Sequence, residues 1–502
     1  MTRKKLLYKK LIAITLLFIG TLNVSAQNDT LYLSIEEVIS RLKADNLHIK
    51  ASGHRLSKAE EERKAQKGLY YPSLDLNASY TMMSNPIELD LTPVRDAILP
   101  AYELIGGQTD MLSNLTDYMA STGTLDPTTY QSFSEGITGL TNGREQAVNA
   151  INNGEWEKTI MEDQFAMVDA SLMWPIYTGG KIRAANKAAE AKQTEAIANN
   201  EKVVSQEITN LMQRYFGLQL ALKVEKVRKE VVSGMQQHLD DAKKLEANGM
   251  ISQAERLHAE VAFVEAEREL KKAKNTVDLM QTAIQNSLST NTPISPTTDL
   301  FIAPATEDLS TFIKHAQTMN PAIKKLEAKE ILAEQALKKE QAAWYPNVFA
   351  FGKANIVDYQ LSEYSPDWMV GVGLKINLFD GLQKVRKSQA AKLQQMEVAT
   401  YQEKAKQDLA TGVTKIHQEL EQAAEQYNAA QKSTEFAKEY LRIRKKAFAE
   451  GFATSTDVVD AQLNLARIET QSLKAMYDFD VALSRLLEIS YKSMDILEYA
   501  SK

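Results

Sequence analysis

The 502-residue sequence contains no cysteine, only 12 prolines, and no uninterrupted apolar run long enough for a membrane helix. The absence of cysteine excludes disulfides, thiolate metal sites, cysteine nucleophiles and a lipid-modified N-terminal cysteine. A helical membrane span needs about 20 predominantly apolar residues, so any membrane role has to depend on β-strands. The 44% hydrophobic and 25% charged content is typical of a folded chain.

Residues 1–26 are predicted to be a secretory signal peptide. A basic segment from Arg3 to Lys10 precedes the apolar stretch Leu11 to Leu22, and Val24-Ser25-Ala26 offers small residues for cleavage. Five of the 59 basic residues and none of the 65 acidic residues lie in this segment, so the mature chain carries a net charge of −11. An exported acidic protein is a poor candidate for nucleic-acid binding.

The rest of the chain is an internal duplication. Tyr71-Pro72 recurs as Tyr345-Pro346, and each pair is expected to end a helix of roughly 35 residues because proline disfavours a helical residue before it. Tyr177-Thr178-Gly179 recurs as Phe379-Asp380-Gly381 at a shorter spacing, so the first copy carries an insertion. We predict a first repeat over 27–290 with the insertion at about 84–160, a linker over 291–307, a second repeat over 308–490 and a tail over 491–502.

Each repeat contains two predicted strands. Apolar residues alternate from Trp368 to Leu378 and from Ala166 to Ile176, and weaker alternation follows each aromatic-proline pair. The lengths suit tilted membrane strands, and Trp174 and Trp368 suit the aromatic girdles of membrane barrels. Lys375 and Asn377, on the less apolar side of their strand, are candidates for a wetted lumen.

Each repeat also contains a long helix interrupted at equivalent glycines, Gly249 and Gly451. Apolar residues step by three and four from Ile208 to Leu222 and from Leu409 to Tyr427, which is coiled-coil spacing. A glycine followed by Ser252 or Thr454 is the pattern of a helix end and a new N-cap, so each glycine marks the turn of a helical hairpin. The turns contain the apolar residues Met250, Ile251, Phe452 and Ala453, which are candidates for a docking surface.

Four strands per chain are too few to close a barrel, and an open sheet edge in lipid leaves backbone groups unpaired. Several copies must therefore share one barrel. Two copies would give eight strands with a filled interior, and three would give twelve strands with a wide lumen. The expected fold is α+β, with long coiled-coil helices and four β-strands per chain that form one barrel together with the strands of other copies; in a trimer the helices would also number twelve and could close as a tube.

The sequence resembles the TolC-like outer membrane efflux proteins in three features that occur in the same order. These are the helices that end at aromatic-proline pairs, the strands that end at Tyr177 and Phe379, and the run from Gly451 to Gln462. The resemblance implies a homotrimer with a 12-stranded β-barrel in the outer membrane and a 12-helix tunnel in the periplasm. It also implies that the tunnel docks tip first onto a periplasmic adaptor and an inner membrane pump. It implies that the adaptor contacts lie at six residues: Gly249, Ile251, Ser252, Gly451, Ala453 and Thr454. It also implies a gate near the tips, for which Glu435 and Glu439 are candidates unless they pair with neighbouring Lys or Arg.

The insertion is longer than this family needs and would lie in the first extracellular loop. It contains Pro86, Pro93, Pro100 and Gly106-Gly107, and it is expected to be a partly ordered loop, although a cap over the outer mouth or a binding surface is an alternative.

No catalytic, cofactor or metal site is expected, since the six histidines are scattered and no HExxH, Walker or GxSxG motif occurs. The predicted function is a passive exit duct for substrates delivered by an inner membrane transporter through an adaptor. The alternatives are a conduit for type I protein secretion, a non-conducting periplasmic coiled-coil scaffold and an open diffusion porin.

Overall fold

The computed structural model describes residues 30–304, 306–361 and 364–501. The predicted signal peptide lies outside these residues. The helices are α1 (Ile35–Asp45), α2 (Leu47–Lys67), α3 (Thr92–Ser121), α4 (Pro127–Asn152), α5 (Lys181–Ala247), α6 (Gln253–Ser287), α7 (Leu309–Met319), α8 (Pro321–Gln341), α9 (Gln383–Ala449), α10 (Ser455–Ile489) and α11 (Ile496–Ala500). The strands are β1 (Leu31–Leu33), β2 (Ser73–Met82), β3 (Ile87–Asp90), β4 (Glu157–Met161), β5 (Gln164–Tyr177), β6 (Ile294–Pro296), β7 (Asn347–Tyr359) and β8 (Trp368–Lys375).

The chain divides into two compact units. The helical unit consists of the described residues up to Lys67, Lys181–Gln341 and the residues from Asp380 onward. The sheet unit consists of Gly68–Gly180 and Ala342–Phe379. The predicted architecture of two repeats, each with long helices and two long strands, is confirmed. No helix in the described part of the chain combines the length and the apolar character needed to span a membrane.

The core of the helical unit lies where α5 and α10 meet α1 and α7. Tyr215, Phe216 and Leu211 of α5 are fully buried there, together with Phe312 and Leu483. The Tyr215 hydroxyl donates to the carbonyl of Leu33 at 2.8 Å and accepts from the Thr298 amide at 2.9 Å, so it joins the end of β1 to the segment that follows β6. The coiled-coil spacing read from the sequence thus identifies residues that pack inward.

The predicted helix of roughly 35 residues before each aromatic-proline pair is wrong in one respect: it is two helices. Asn46 separates α1 from α2, and its Oδ1 accepts from the amides of His48 and Ile49 at 2.9 and 3.0 Å. Asn320 separates α7 from α8 and accepts from the Ala322 amide at 2.8 Å. Asparagine is a preferred N-cap because its side chain satisfies amides that have no partner in the first turn.

Four strands form one antiparallel sheet in the order β2-β5-β7-β8. Strand β8 ends at Lys375, three residues earlier than the alternation predicted. Lys375 pairs with Asn347, the first residue of β7, and the residue before it is Pro346, which has no N–H to continue the ladder. Asn377 consequently lies beyond the strand.

The insertion contains two long helices, α3 and α4, where a loop was expected. Strand β3 precedes these helices and strand β4 follows them, and the two strands pair antiparallel. Asp126 caps α4 by accepting from the amides of Thr128 and Thr129 at 3.0 Å. This helical hairpin belongs to the sheet unit.

Candidate membrane sheet and hairpin tips

The four-stranded sheet has one face that is apolar except at one end, where the Gln164 side-chain oxygen accepts from the Tyr80 hydroxyl at 2.8 Å. Cross-strand pairing places Leu74 opposite Leu172, Leu172 opposite Gly352, and Gly352 opposite Val370. Because side chains alternate along a strand, the same face carries Leu76, Ala78, Tyr80, Val168, Ala170, Trp174, Val348, Ala350, Ala354, Trp368, Val372 and Leu374. Leu76, Trp368 and Val370 are 69%, 67% and 73% exposed. A continuous exposed surface of this kind marks an interaction with lipid or protein.

The opposite, mixed face carries a polar network. The Asn77 amide donates to Asp169 at 3.2 Å and to Ser171 at 3.1 Å, and the Lys353 Nζ atom is 3.4 Å from the Asp169 carboxylate. Lys353 neutralises a carboxylate that is only 5% exposed. Lys375 lies on this face and is exposed, and Asn377 is also exposed just after the strand. The two predicted lumen candidates are thus close in sequence, but only Lys375 is part of the sheet.

Two glycines on the mixed face make room for aromatic rings. Gly371 pairs with Phe351 and Gly373 with Phe349. A Cβ atom at Gly371 would lie 2.6 Å from the Phe351 ring, and one at Gly373 would collide with the Phe349 ring. The rings of Phe351 and Phe349 therefore occupy the space that a side chain at Gly371 or Gly373 would fill.

Both edges of the sheet lack a neighbour within the described part of the chain. Strand β2 pairs only with β5, and β8 only with β7. Outward-directed amide and carbonyl groups of an edge strand are a template for pairing with another strand.

The two hairpin tips, residues 249–252 and 451–454, have the same turn geometry. Gly249 and Gly451 adopt φ values of 70° and 79°, a left-handed conformation that glycine tolerates best. The amide of Gly249 donates to Glu246 at 2.8 Å, and that of Gly451 donates to Phe448 at 3.0 Å. The Met250 amide donates to the Leu245 carbonyl, and the Phe452 amide donates to the Ala447 carbonyl, both at 2.8 Å. These bonds complete a Schellman C-cap in each tip.

The helix that follows each tip is capped by the predicted hydroxyl. Ser252 Oγ accepts from the Glu255 amide at 3.3 Å, and Thr454 forms a capping box with Asp457. Glu255 does not complete the equivalent box in the first repeat. Its carboxylate accepts instead from the Ser455 amide at 2.7 Å, so the start of α6 also caps the start of α10.

The apolar tip residues divide into two classes. Ile251 and Ala453 are half-buried and pack on a small core that includes Leu239 and Phe448. Met250 and Phe452 are 56% and 84% exposed. The exposed apolar surface of the tips therefore consists of Met250 and Phe452, which the sequence identified as apolar without separating them from Ile251 and Ala453.

A buried histidine lies beneath the tips. His238 is 5% exposed, its Nε2 is 2.8 Å from Ser455 Oγ, and its ring centroid is 4.6 Å from that of Phe448. Burial is the main cause that lowers the pKa of His238 below its ordinary value. No motif marked this residue in the sequence.

The two candidate gate residues lie on α9 and are both exposed. Glu439 is paired with Arg442 through two hydrogen bonds of 2.7 and 2.9 Å, which lower the pKa of its carboxyl. Among the described residues, no group of three or more His, Asp or Glu side chains is arranged to hold a metal ion.

The model of the outer membrane efflux protein family matches residues 152–290 and 312–490, which is more than half of the chain. The fold is similar to that of three solved structures. CusC is 14% identical with a TM-score of 0.68 over 94% of this chain and 95% of CusC, in crystal structures that describe transmembrane channel formation. The Campylobacter jejuni outer membrane channel CmeC is 14% identical with a TM-score of 0.67, over 93% of this chain and 89% of CmeC.

The Vibrio cholerae outer membrane protein VceC is also 14% identical, with a TM-score of 0.65 over 90% of this chain and 96% of VceC. No curated protein matches the sequence. The second repeat is matched almost completely, whereas the first is matched only from residue 152 onward, so α1, α2, β2 and nearly all of the insertion lie outside the matched segments. The chain therefore belongs to the outer membrane efflux protein family, whose members are channels and not enzymes.

Proposed function

We propose that this chain is the outer membrane channel of a tripartite efflux pump, a passive gated duct formed by a homotrimer. The observation that supports the proposal best is the sheet, whose apolar face is exposed and whose two edges lack neighbours among the described residues. In lipid each backbone polar group needs a partner, and four strands cannot close on themselves. Three copies supply twelve strands, which is enough for a water-filled lumen lined by the mixed face.

The proposed channel is tested by conductance in planar bilayers. We expect purified trimers to give small, cation-selective currents, because the resting duct is closed near its tips. A coiled-coil scaffold would give no current, and a diffusion porin would give a large resting conductance. Either of those results would contradict the proposal.

For the gate, Glu435 is the better of the two candidates. Its carboxylate is exposed one helical turn before Glu439, whereas the charge of Glu439 is already paired with Arg442. We expect Glu435→Gln to increase the resting conductance of the channel more than Glu439→Gln does.

We propose further that the tips bind the adaptor that links the channel to the inner membrane pump. The shape of the two turns is set by four residues: Gly249, Ser252, Gly451 and Thr454. The packing of the turns depends on Ile251 and Ala453. Met250 and Phe452 then supply the exposed apolar surface, and burial of a large exposed aromatic is a common source of binding energy at interfaces.

The tip proposal predicts that Phe452→Asp abolishes export while trimers still form in the outer membrane. Phe452 is 84% exposed, so its loss removes little packing within the chain. Export is measured as resistance to toxic efflux substrates, and trimer content on unheated gels. Phe452→Leu, which keeps an apolar side chain, is the matched control and should retain most of the export. Normal export by Phe452→Asp would contradict adaptor docking at this residue.

A further inference from the structure

Helix α3 of the insertion has a seven-residue repeat of apolar side chains. Taking Val94 as position a, positions a, d and e are apolar throughout four heptads with the single exception of Gln108. Position a holds Val94, Ala101, Gln108 and Leu115; position d holds Ala97, Leu104, Met111 and Tyr118; position e holds Ile98, Ile105, Leu112 and Met119. We call this surface the heptad face.

The heptad face is directed away from the rest of the hairpin. Leu104, Met111 and Tyr118 are 68%, 74% and 66% exposed. The buried residues of α3 lie on a different side of the helix, at Gly106 and Thr109 and also Thr116. Gly106 is in close contact with Arg144 of α4, where an added Cβ atom would collide with the guanidinium group. The α3–α4 contact thus uses small and polar residues and leaves the large apolar ones outside.

The hairpin has almost no apolar core of its own. Ile137 is the only large apolar side chain that is buried in α3 and α4. Pro100, Gly106 and Gly107 lie inside α3 and lower its intrinsic helix propensity. A helix with weak propensity and little burial needs packing from outside, because helices in proteins are stabilised mainly by their packed face.

The period of the repeat indicates another helix as the partner. A strict repeat of seven residues keeps the apolar seam facing a supercoiled helix, whereas a flat surface does not require it. Helices that lie on membranes carry Lys and Arg on their polar side. Here position c, roughly opposite the heptad face, is acidic in every heptad: Asp96, Glu103, Asp110 and Asp117. This charge disfavours an anionic lipid surface.

The charge pattern also permits copies of α3 to meet one another. Position e is apolar, and position g holds Pro93, Pro100, Gly107, Asn114 and Ser121, so the residues that flank the seam have no like charges to repel each other. The acidic residues at position c lie on the outer side of such a bundle. The insertion also lies between β2 and β5 in the chain, and β2 is the edge strand at which the proposed trimer recruits a neighbouring copy.

We propose that the heptad faces of α3 from the copies of this chain pack together as a parallel helical bundle. This inference depends on the proposed homotrimer, in which rotational symmetry requires the three α3 helices to be parallel. It forms an interface between subunits in addition to the shared sheet, and it covers the large apolar side chains that a single chain leaves exposed.

The absence of cysteine allows a direct test with single substitutions. Leu104→Cys places a thiol on the heptad face, and the neighbouring Glu103→Cys places one on the acidic side. Met111→Cys and Asp110→Cys form a second matched pair. Purified full-length protein is treated with a short trivalent maleimide and analysed on denaturing gels. We expect covalent trimers with Leu104→Cys and Met111→Cys and none with Glu103→Cys and Asp110→Cys.

Unheated gels of the same samples report the trimer independently. If the unheated gels show trimers but Leu104→Cys and Met111→Cys do not cross-link, the bundle is wrong while the proposed channel stands. Equal cross-linking at all four positions would also overturn it, since the contact would not be specific to one face. Monomers on unheated gels, without bilayer current and without cross-links, would overturn the bundle and the proposed channel together.

Discussion

At the scale of single residues, His238 is the most informative titratable group near the tips. It is buried against Phe448 and Ser455, and burial lowers its pKa below the ordinary value of 6.5. The folded protein therefore binds this proton less readily than the unfolded chain does. The free energy of unfolding should decrease as the pH falls below 6.5, by at most about 1.4 kcal/mol per pH unit from this group.

His238→Gln tests this expectation, because glutamine can still bond to Ser455 but does not titrate. The measurement is the free energy of unfolding between pH 5 and 8, and the variant should lose part of the decrease at acidic pH. Identical pH dependence in both proteins would show that the tips do not depend on neutral His238.

Asp480 is a second buried residue, with the opposite relation to pH. It is fully buried in α10, its Oδ2 accepts from the Phe301 amide at 3.4 Å, and Oδ1 has no partner among the described residues. Burial raises the pKa of this carboxyl well above its ordinary value. The folded protein thus retains a proton that the unfolded chain loses above about pH 4, so this group lowers stability as the pH rises.

We expect Asp480→Asn to stabilise the protein at pH 7 by roughly 1 kcal/mol or more and to have little effect at pH 4. Asparagine keeps an oxygen for the Phe301 amide and has no charge to bury. Thermal unfolding followed by circular dichroism at both pH values is the measurement. A lower melting temperature at pH 7 would mean that the Asp480 side chain is needed in its charged form.

At the scale of elements, the helices and strands follow closely from the sequence, because their apolar periods are long and regular. The two Asn junctions were missed, since helical periodicity continues through Asn46 and Asn320 and only a local cap ends one helix and starts the next. Helix α3 was missed because Pro100 and Gly106-Gly107 are loop signals, which here lie inside a continuous helix. At the tips, spacing identified the turns, but the difference between Ile251 and Phe452 depends on turn geometry.

The Asn46 junction gives a prediction about an element boundary. Besides capping α2, the Asn46 side chain donates from Nδ2 to the Ser287 carbonyl at 3.1 Å. In the second repeat, Asn320 Nδ2 donates to the Ile489 carbonyl at 2.7 Å. Asn46→Ala removes the cap and leaves a buried carbonyl unpaired, so it should lower the free energy of unfolding by about 1–3 kcal/mol.

Asn46→Ser should lie between the wild type and Asn46→Ala, because serine caps a helix but is too short to reach Ser287. Asn320→Ala should resemble Asn46→Ala, as the two repeats predict. Denaturant unfolding monitored by circular dichroism measures all three. An alanine variant as stable as the wild type would show that water replaces both bonds.

At the scale of the whole molecule, sequence patterns identified the two repeats and the family, but they did not show which surfaces a single chain leaves uncovered. The sheet and α3 share this property: each has an apolar face exposed and a polar or small-residue face satisfied within the chain. Packing inside one chain accounts for the helical core, whereas these two surfaces remain exposed in a single chain.

The assignment of the two sheet faces is tested by a matched pair of adjacent residues in the middle of β2. Ala78 and Ser79 are both small and exposed, with Ala78 on the apolar face and Ser79 on the mixed face. A lysine on the lipid side costs about 2–4 kcal/mol near the middle of the bilayer, whereas a lysine toward a wet lumen has little cost. Ala78→Lys should therefore sharply reduce the amount of heat-modifiable trimer in the outer membrane, and Ser79→Lys should leave it near the wild-type amount. Equal amounts of trimer for the two variants would mean that the apolar face does not contact lipid, and loss of trimer with Ser79→Lys alone would reverse the assignment of the faces.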